Sequence, residues 1–119
     1  MSQNFQPGDF LVIQLEAGFA LLRLLAVEEI GEDKTWHVAA YSDFFPDVET
    51  AEMVSANPQD LSPSDKHIAL TNRAFESTQV AKVSNVELTE QEKTPLDDWR
   101  NDPNRVVSDR SVRLMLGIR

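Results

Sequence analysis

The stretch FQPGDFLVIQLEAGFALLRLLAVEEI, residues 5–30, is the most apolar part of an otherwise acidic chain, and its reading decides the fold. Asp9 to Leu15 is short and rich in Val, Ile, Leu and Phe, which suits a strand. Glu16-Ala17-Gly18 then supplies a Gly-containing turn of a length common in hairpins. Phe19 to Ile30 admits two readings. As a helix it carries Phe19, Leu22, Ala26 and Ile30 on one stripe, and its Ala and Leu favour helical backbone. As a strand it places Ala20, Leu22, Leu24 and Ala26 on one side and Phe19, Leu21, Arg23, Leu25 and Val27 on the other. The hairpin is the preferred reading, because the strand before the Gly turn needs a partner for its backbone N–H and C=O groups.

Working outward, Gly31 to Lys34 is a polar turn, and Thr35 to Tyr41 alternates Trp36, Val38 and Ala40 with His37, Ala39 and Tyr41. This predicts a third strand and hence a meander. Pro46 and Pro58 bound a short helix from Asp47 to Ser55, and Asn57 to Asp65 reads as a loop. His67 to Leu70 and Thr78 to Val83 read as a second strand pair around the turn-prone Thr71-Asn72-Arg73, with Val86 to Leu88 as a short extended piece. Thr89 and Glu92 have the spacing of a capping box, whereas Pro95 limits that helix to a short turn or begins a new one. In SVRLMLGIR, residues 111–119, Val112, Leu114, Leu116 and Ile118 alternate with Arg113, Met115, Gly117 and Arg119, the pattern of a last strand closing the sheet. The expected fold is one α+β, mainly β domain over 1–119: a strongly curved antiparallel sheet or small SH3-like barrel of about five or six strands, with one or two short helices. Phe10, Val12, Leu21 and Leu25 fall on the hairpin's second face, which is too apolar for open water and calls for cover from within the chain. Trp36 and Trp99 are expected in the core.

Charge bounds the function. Twenty Asp and Glu against eleven Lys and Arg give −9, and residues 1–70 hold twelve of those carboxylates against only Arg23, Lys34 and Lys66. Such a surface repels phosphate backbones, so nucleic acid is not an expected ligand. A basic protein partner is, since complementary charge raises association rates ~10–1000-fold. The absence of cysteine excludes disulfides, thiolate metal sites and a cysteine nucleophile. No apolar run reaches the roughly 18 residues of a membrane span, and the polar start MSQNFQPGD lacks the pattern of a secretory signal, so a cytoplasmic location and no membrane association are expected. The two histidines, His37 and His67, sit in expected strands without metal-ligand spacing; a site pairing them with Asp43 or Glu49 is less economical than ordinary hydrogen-bonded histidines. There is no nucleophile elbow and no phosphate-cradling Gly-rich loop. The sequence therefore calls for no cofactor, no metal and no catalytic residue. A small-ligand or enzymatic barrel would need a pocket holding a carboxylate or a histidine with a shifted pKa.

The remaining constellation is Tyr41, Asp43, Phe44, Phe45, Asp47, Glu49 and Glu52. Aromatic rings beside carboxylates suit a basic protein surface, the rings as desolvated anchors and the acids as partners for Lys and Arg. Arg105, Arg110, Arg113 and Arg119 form a mildly basic tail expected to pair with the chain's own acidic face.

FQPGDFLVIQLEAGFALLRLLAV resembles the start of the immunity protein 26 family of bacterial toxin-neutralising proteins, in which a Gly-Asp enters an aliphatic strand followed by a Gly turn and a second strand. HIALTNRAFESTQVAKVSNVELTEQE resembles that family's later strand pair and its Thr-x-x-Glu entry to a helix. Together they span about half the chain. The resemblance implies a small β-rich, non-enzymatic domain that binds a cognate toxin, the acidic segment 41–52 occluding the toxin's active surface. The competing expectation is an adaptor or accessory subunit of a larger bacterial assembly, binding through the apolar hairpin face.

Overall fold

The computed structural model describes residues 5–15, 18–58, 61, 63–77 and 79–110. β1 (Asp9–Leu15) pairs antiparallel with β2 (Gly18–Ile30), Phe10 opposite Arg23 and Leu15 opposite Gly18. The long apolar run is thus a strand, because its Leu and Val side chains are needed on both sheet faces, a demand that a one-striped helix does not meet. β2 turns at Gly31 and Glu32 into β3 (Asp33–Phe45). Gly31 has a φ of 63° and, among the described residues, no non-Gly residue has positive φ, the pattern of a type II′ hairpin turn.

Helix α1 (Val48–Ser55) follows, capped by Asp47, whose carboxylate accepts from the Thr50 N–H at 2.7 Å. Then come β4 (Pro63–Thr71), α2 (Asn72–Glu76), β5 (Val80–Asn85) and α3 (Glu90–Arg100). The strand order is β4-β3-β2-β1-β5, all neighbours antiparallel, so the architecture is α+β and mainly β. The five strands leave the sheet open among the described residues, with β4 and β5 at opposite edges, and three helices stand where one or two were expected. The anticipated pairing of His67–Leu70 with Thr78–Val83 does not occur: β4 joins β3 and β5 joins β1. The turn between them is instead α2, capped by the Thr71 hydroxyl, and it packs Ala74 and Phe75 under the sheet. β4 also takes in Pro63 to Asp65, which composition assigned to a loop; Pro63 is tolerated at the start of an edge strand. Val86 to Leu88 adds no strand. The expected closing strand of 111–119, and Glu16 and Ala17 of the hairpin turn, lie outside the described residues.

Both sheet faces are covered. On the first, Leu11, Ile13, Leu22, Leu24, Trp36, Val38, Ile68 and Leu70 pack with Phe75 of α2, which stacks on Trp36 with ring centroids 4.0 Å apart. On the second, Phe10, Val12, Leu21, Tyr41 and Phe45 lie under Ala51 and Val54 of α1, while Leu25 and Ala39 lie under Leu96 of α3. The apolar hairpin face is therefore covered within the chain.

Strict alternation fails at one place in β2. Leu24 pairs with Val38 but Ala26 pairs with His37, so Leu25 is an extra residue, a β-bulge. Beyond it Ala26, Val27 and Glu28 change face. Ala26 packs with Leu25 and Leu96, and Val27 joins Trp36, the reverse of the expected assignment. The same shift carries Glu28 onto the face of His37.

Helix α3 runs through Pro95 instead of stopping there. A proline at that position removes one backbone donor and costs about 3 kcal/mol in an isolated helix. Here several anchors offset it. The Thr89 capping box forms as expected, Leu96 is buried, and two charged side chains of the helix bond into the sheet.

Candidate functional site

Three constellations stand out on the α1/α3 side of the sheet. The first is the acidic segment. Asp43 and Phe44 lie at the end of β3, Asp47 caps α1, and Glu49 and Glu52 lie on that helix. Asp43, Asp47, Glu49 and Glu52 are all exposed, and Phe44 is 54% exposed. Tyr41 and Phe45 are not surface anchors. Each is buried beneath α1, Tyr41 against the Phe10 ring, although Asp43 between them is exposed, because the register of β3 on β2 shifts in this stretch. Burial, with Glu92 nearby, pushes the Tyr41 hydroxyl up to about 12, only partly opposed by Arg23. The capping hydrogen bond from Thr50 holds Asp47 below the usual carboxylate range.

Sequence reading missed the segment's two other exposed apolar residues, Val48 at 40% and Met53 at 72%. With Ala51 and Ser55 buried, the opposite side of α1 presents Glu49, Glu52 and Met53, which are helical neighbours at i, i+3 and i+4. Val48 lies one turn from Glu52 on the same helix. The helical period of VETAEMVS, read against Ala51, Val54 and Ser55 as the inner side, carries that information. None of Asp43, Asp47, Glu49 and Glu52 meets a Lys or Arg among the described residues. Of the basic tail, Arg105 stands over Trp99, while Arg113 and Arg119 lie outside the described residues.

The second constellation is buried and polar. Arg23, fully enclosed on β2, donates from Nε and Nη2 to both carboxylate oxygens of Glu92 at 2.9 and 3.2 Å, from Nη1 to the Gly8 carbonyl at 2.6 Å, and from Nη2 to the Glu87 carbonyl at 3.2 Å. It also lies 4.3 Å from the centre of the Phe10 ring. Gly8 has a φ of 95°, and a Cβ there would meet the Val86 carbonyl oxygen at 2.8 Å, so only glycine lets this backbone approach. Burial works against the Glu92 charge, but Arg23 and the Thr89 N–H outweigh it and hold the carboxyl below its ordinary value.

Further along the same face, Glu28, His37 and His67 form a chain. The Glu28 carboxylate lies 2.7 Å from His37 Nε2, and His37 Nδ1 lies 2.8 Å from His67 Nε2. Arg100 of α3 donates to the second Glu28 oxygen at 3.0 Å, and Trp99 meets the His37 ring edge-on at 4.7 Å. Trp99 is thus a half-buried cover over the histidine pair and not the core residue expected from sequence. Burial opposes the Glu28 charge, yet the bonds from His37 and Arg100 prevail and lower its pKa. Burial lowers His37 against the pull of Glu28, and burial followed by the neighbouring His37 brings His67 down to about 4.

In the neutral form that burial favours, the hydrogen bonds of the histidine chain select one arrangement of protons. An ionised Glu28 only accepts, so His37 Nε2 carries hydrogen and neutral His37 accepts at Nδ1. His67 must then donate from Nε2, which leaves its Nδ1 as a bare acceptor. Neither histidine approaches Asp43 or Glu49, and no group of three or more metal-ligating side chains gathers among the described residues. The bulge at Leu25 hid Glu28 from sequence reading, since strict alternation sends it to the other face. No helix among the described residues is long and apolar enough to cross a membrane.

Comparison with known proteins finds no matching family model, no matching curated protein and no matching solved structure.

Proposed function

We propose that this protein is a non-enzymatic protein-binding module of immunity type, which neutralises a basic toxin by occluding its active surface through the segment 43–53. The observation that carries this reading is the combination on α1 and the end of β3: Phe44, Val48 and Met53 exposed among four carboxylates that no cation of the described chain neutralises. Exposed apolar side chains gain from desolvation against a partner, and unpaired acids around them favour one rich in Lys and Arg. The resemblance of residues 5–27 and 67–92 to the immunity protein 26 family supports the same class. The adaptor reading lacks its surface, since Phe10, Val12, Leu21 and Leu25 are each no more than 3% exposed.

The test is co-expression with the product of the neighbouring gene, followed by affinity measurement on the complex. Asp43→Asn, Asp47→Asn, Glu49→Gln and Glu52→Gln together should weaken binding by about tenfold or more at low salt. Asn serves as well as Asp in a helix cap, so α1 survives the change. Unchanged affinity overturns the electrostatic account.

A further inference from the structure

The histidine chain ends at a cleft. After α3 the chain doubles back and runs beside the free edge of β4, where the Ser108 N–H donates to the Ala69 carbonyl at 2.8 Å and the Thr71 N–H to the Ser108 carbonyl at 3.0 Å. Between that segment and β4 lies a cleft of about 380 Å³, lined among others by Asp65, His67, Trp99, Asp102, Asn104 and Arg105. Its size is that of a small-molecule or single-side-chain site. Its lining brings together two carboxylate residues, Asp65 and Asp102, with Asn104 and His67, and His67 Nδ1 has no hydrogen-bond partner among the described residues. Glu28 and His37 hold the His67 ring in the tautomer that accepts there.

The chain itself displays the chemistry this wall takes. The Arg105 guanidinium stands 5.5 Å from the centre of the Trp99 ring, so one cation already rests on the aromatic surface of the cleft.

We propose that this cleft binds a guanidinium group, with Asp65 and Asp102 as counter-charges, neutral His67 as an acceptor, and Trp99 as the ring on which the incoming cation replaces Arg105. The proposal goes beyond the toxin-binding reading and uses other residues, so either can fail alone. The guanidinium can belong to a free small molecule or to an arginine of a peptide.

The charged and titratable groups around His67 come from every neighbouring element: Glu28 from β2, His37 from β3, Arg100 from α3, Asp102 and Arg105 from the segment after it, and Asp65 and Lys66 from β4 itself. Protonating His67 turns its acceptor into a donor and adds a like charge. Binding therefore weakens as the solution is acidified into the range where His67 takes up a proton.

The experiment follows the Trp99 indole and His67 ring nitrogens by NMR during titration with the capped tripeptide Gly-Arg-Gly, its citrulline counterpart and agmatine. The expected result is saturable shifts with the arginine peptide and at least about tenfold weaker binding of the uncharged citrulline peptide. Agmatine binding as tightly as the peptide assigns the site to small molecules; peptide binding alone assigns it to arginine side chains, and both outcomes support the guanidinium site. Asp65→Asn with Asp102→Asn should weaken binding, and Arg105→Gln should tighten it by clearing the ring. Absence of saturation, equal binding of citrulline, or weakening by Arg105→Gln overturns the proposal. The arginine–citrulline comparison uses the unaltered protein, so it decides the matter even where a substitution unfolds the chain.

Discussion

Removing the Glu92 carboxylate exposes how the fold is fastened. Arg23 is enclosed, whereas the Glu92 side chain keeps 23% of its surface accessible, so the two halves of the pair are not equivalent. In Glu92→Ala the guanidinium stays buried with only the Gly8 and Glu87 carbonyls as partners, and breaking a buried pair in this way costs about 3–5 kcal/mol. The capping box at Thr89 disappears with it, adding about 0.5–1 kcal/mol. Arg23→Met removes the buried charge itself. Glu92 then returns to solvent, and the two carbonyls lose their donor, a cost of about 2–3 kcal/mol. The double variant should fall short of the sum by about 2 kcal/mol, because the second change no longer strands a partner. Urea unfolding reads these values: with a slope of about 2 kcal/mol per molar, ordinary for a chain of this size, Glu92→Ala lowers the midpoint by about 2–3 M. Additivity within about 0.5 kcal/mol, or a Glu92→Ala cost below about 1 kcal/mol, refutes the view that this pair secures α3 to the sheet.

Acidification should destabilise the protein between about pH 6.5 and pH 4. Both histidines have folded pKa values below the ordinary one, so the unfolded chain binds more protons in that window and stability rises with pH across it. The His67 shift to about 4 sets a ceiling of about 3 kcal/mol, which its partial exposure reduces to about 1–2 kcal/mol. Urea midpoints against pH check this, and His67→Gln should flatten the curve; a flat curve for the unaltered protein contradicts the buried neutral pair. Glu28 and Glu92, both lowered, contribute stability that is fully present above about pH 4.5 and is lost on further acidification. Phe75→Ala removes a fully buried ring stacked on Trp36 and should cost about 3–5 kcal/mol, seen as a melting temperature lower by about 10–20 °C.

The hairpin, the meander and both covered faces were legible because apolar alternation and a turn glycine are local signals. The capping box at Thr89 was legible for the same reason. What escaped the sequence depends on contacts distant along the chain. Thr71-Asn72-Arg73 reads as a turn until Phe75 is seen to need Trp36 as its cover. Pro95 reads as a stop until Arg23, 69 residues from Glu92, is seen to anchor the first turn of the helix. Glu28 and His37 reach one face only through the bulge at Leu25, which alternation cannot register. In the acidic segment, composition placed the carboxylates at the surface but did not separate exposed Phe44 from buried Tyr41 and Phe45. The inward turn of Tyr41 and Phe45, and the outward turn of Val48 and Met53, depend on the register of β3 and the packing of α1.

Amide hydrogen exchange of the protein alone and in complex with the product of the neighbouring gene tests the functional account most directly. The account predicts added protection concentrated in residues 43–53, with the amides of α1 slowed on binding and those of β4 and α3 unchanged. Protection confined to β4, α3 or the segment after it, with 43–53 exchanging as in the free protein, would contradict it.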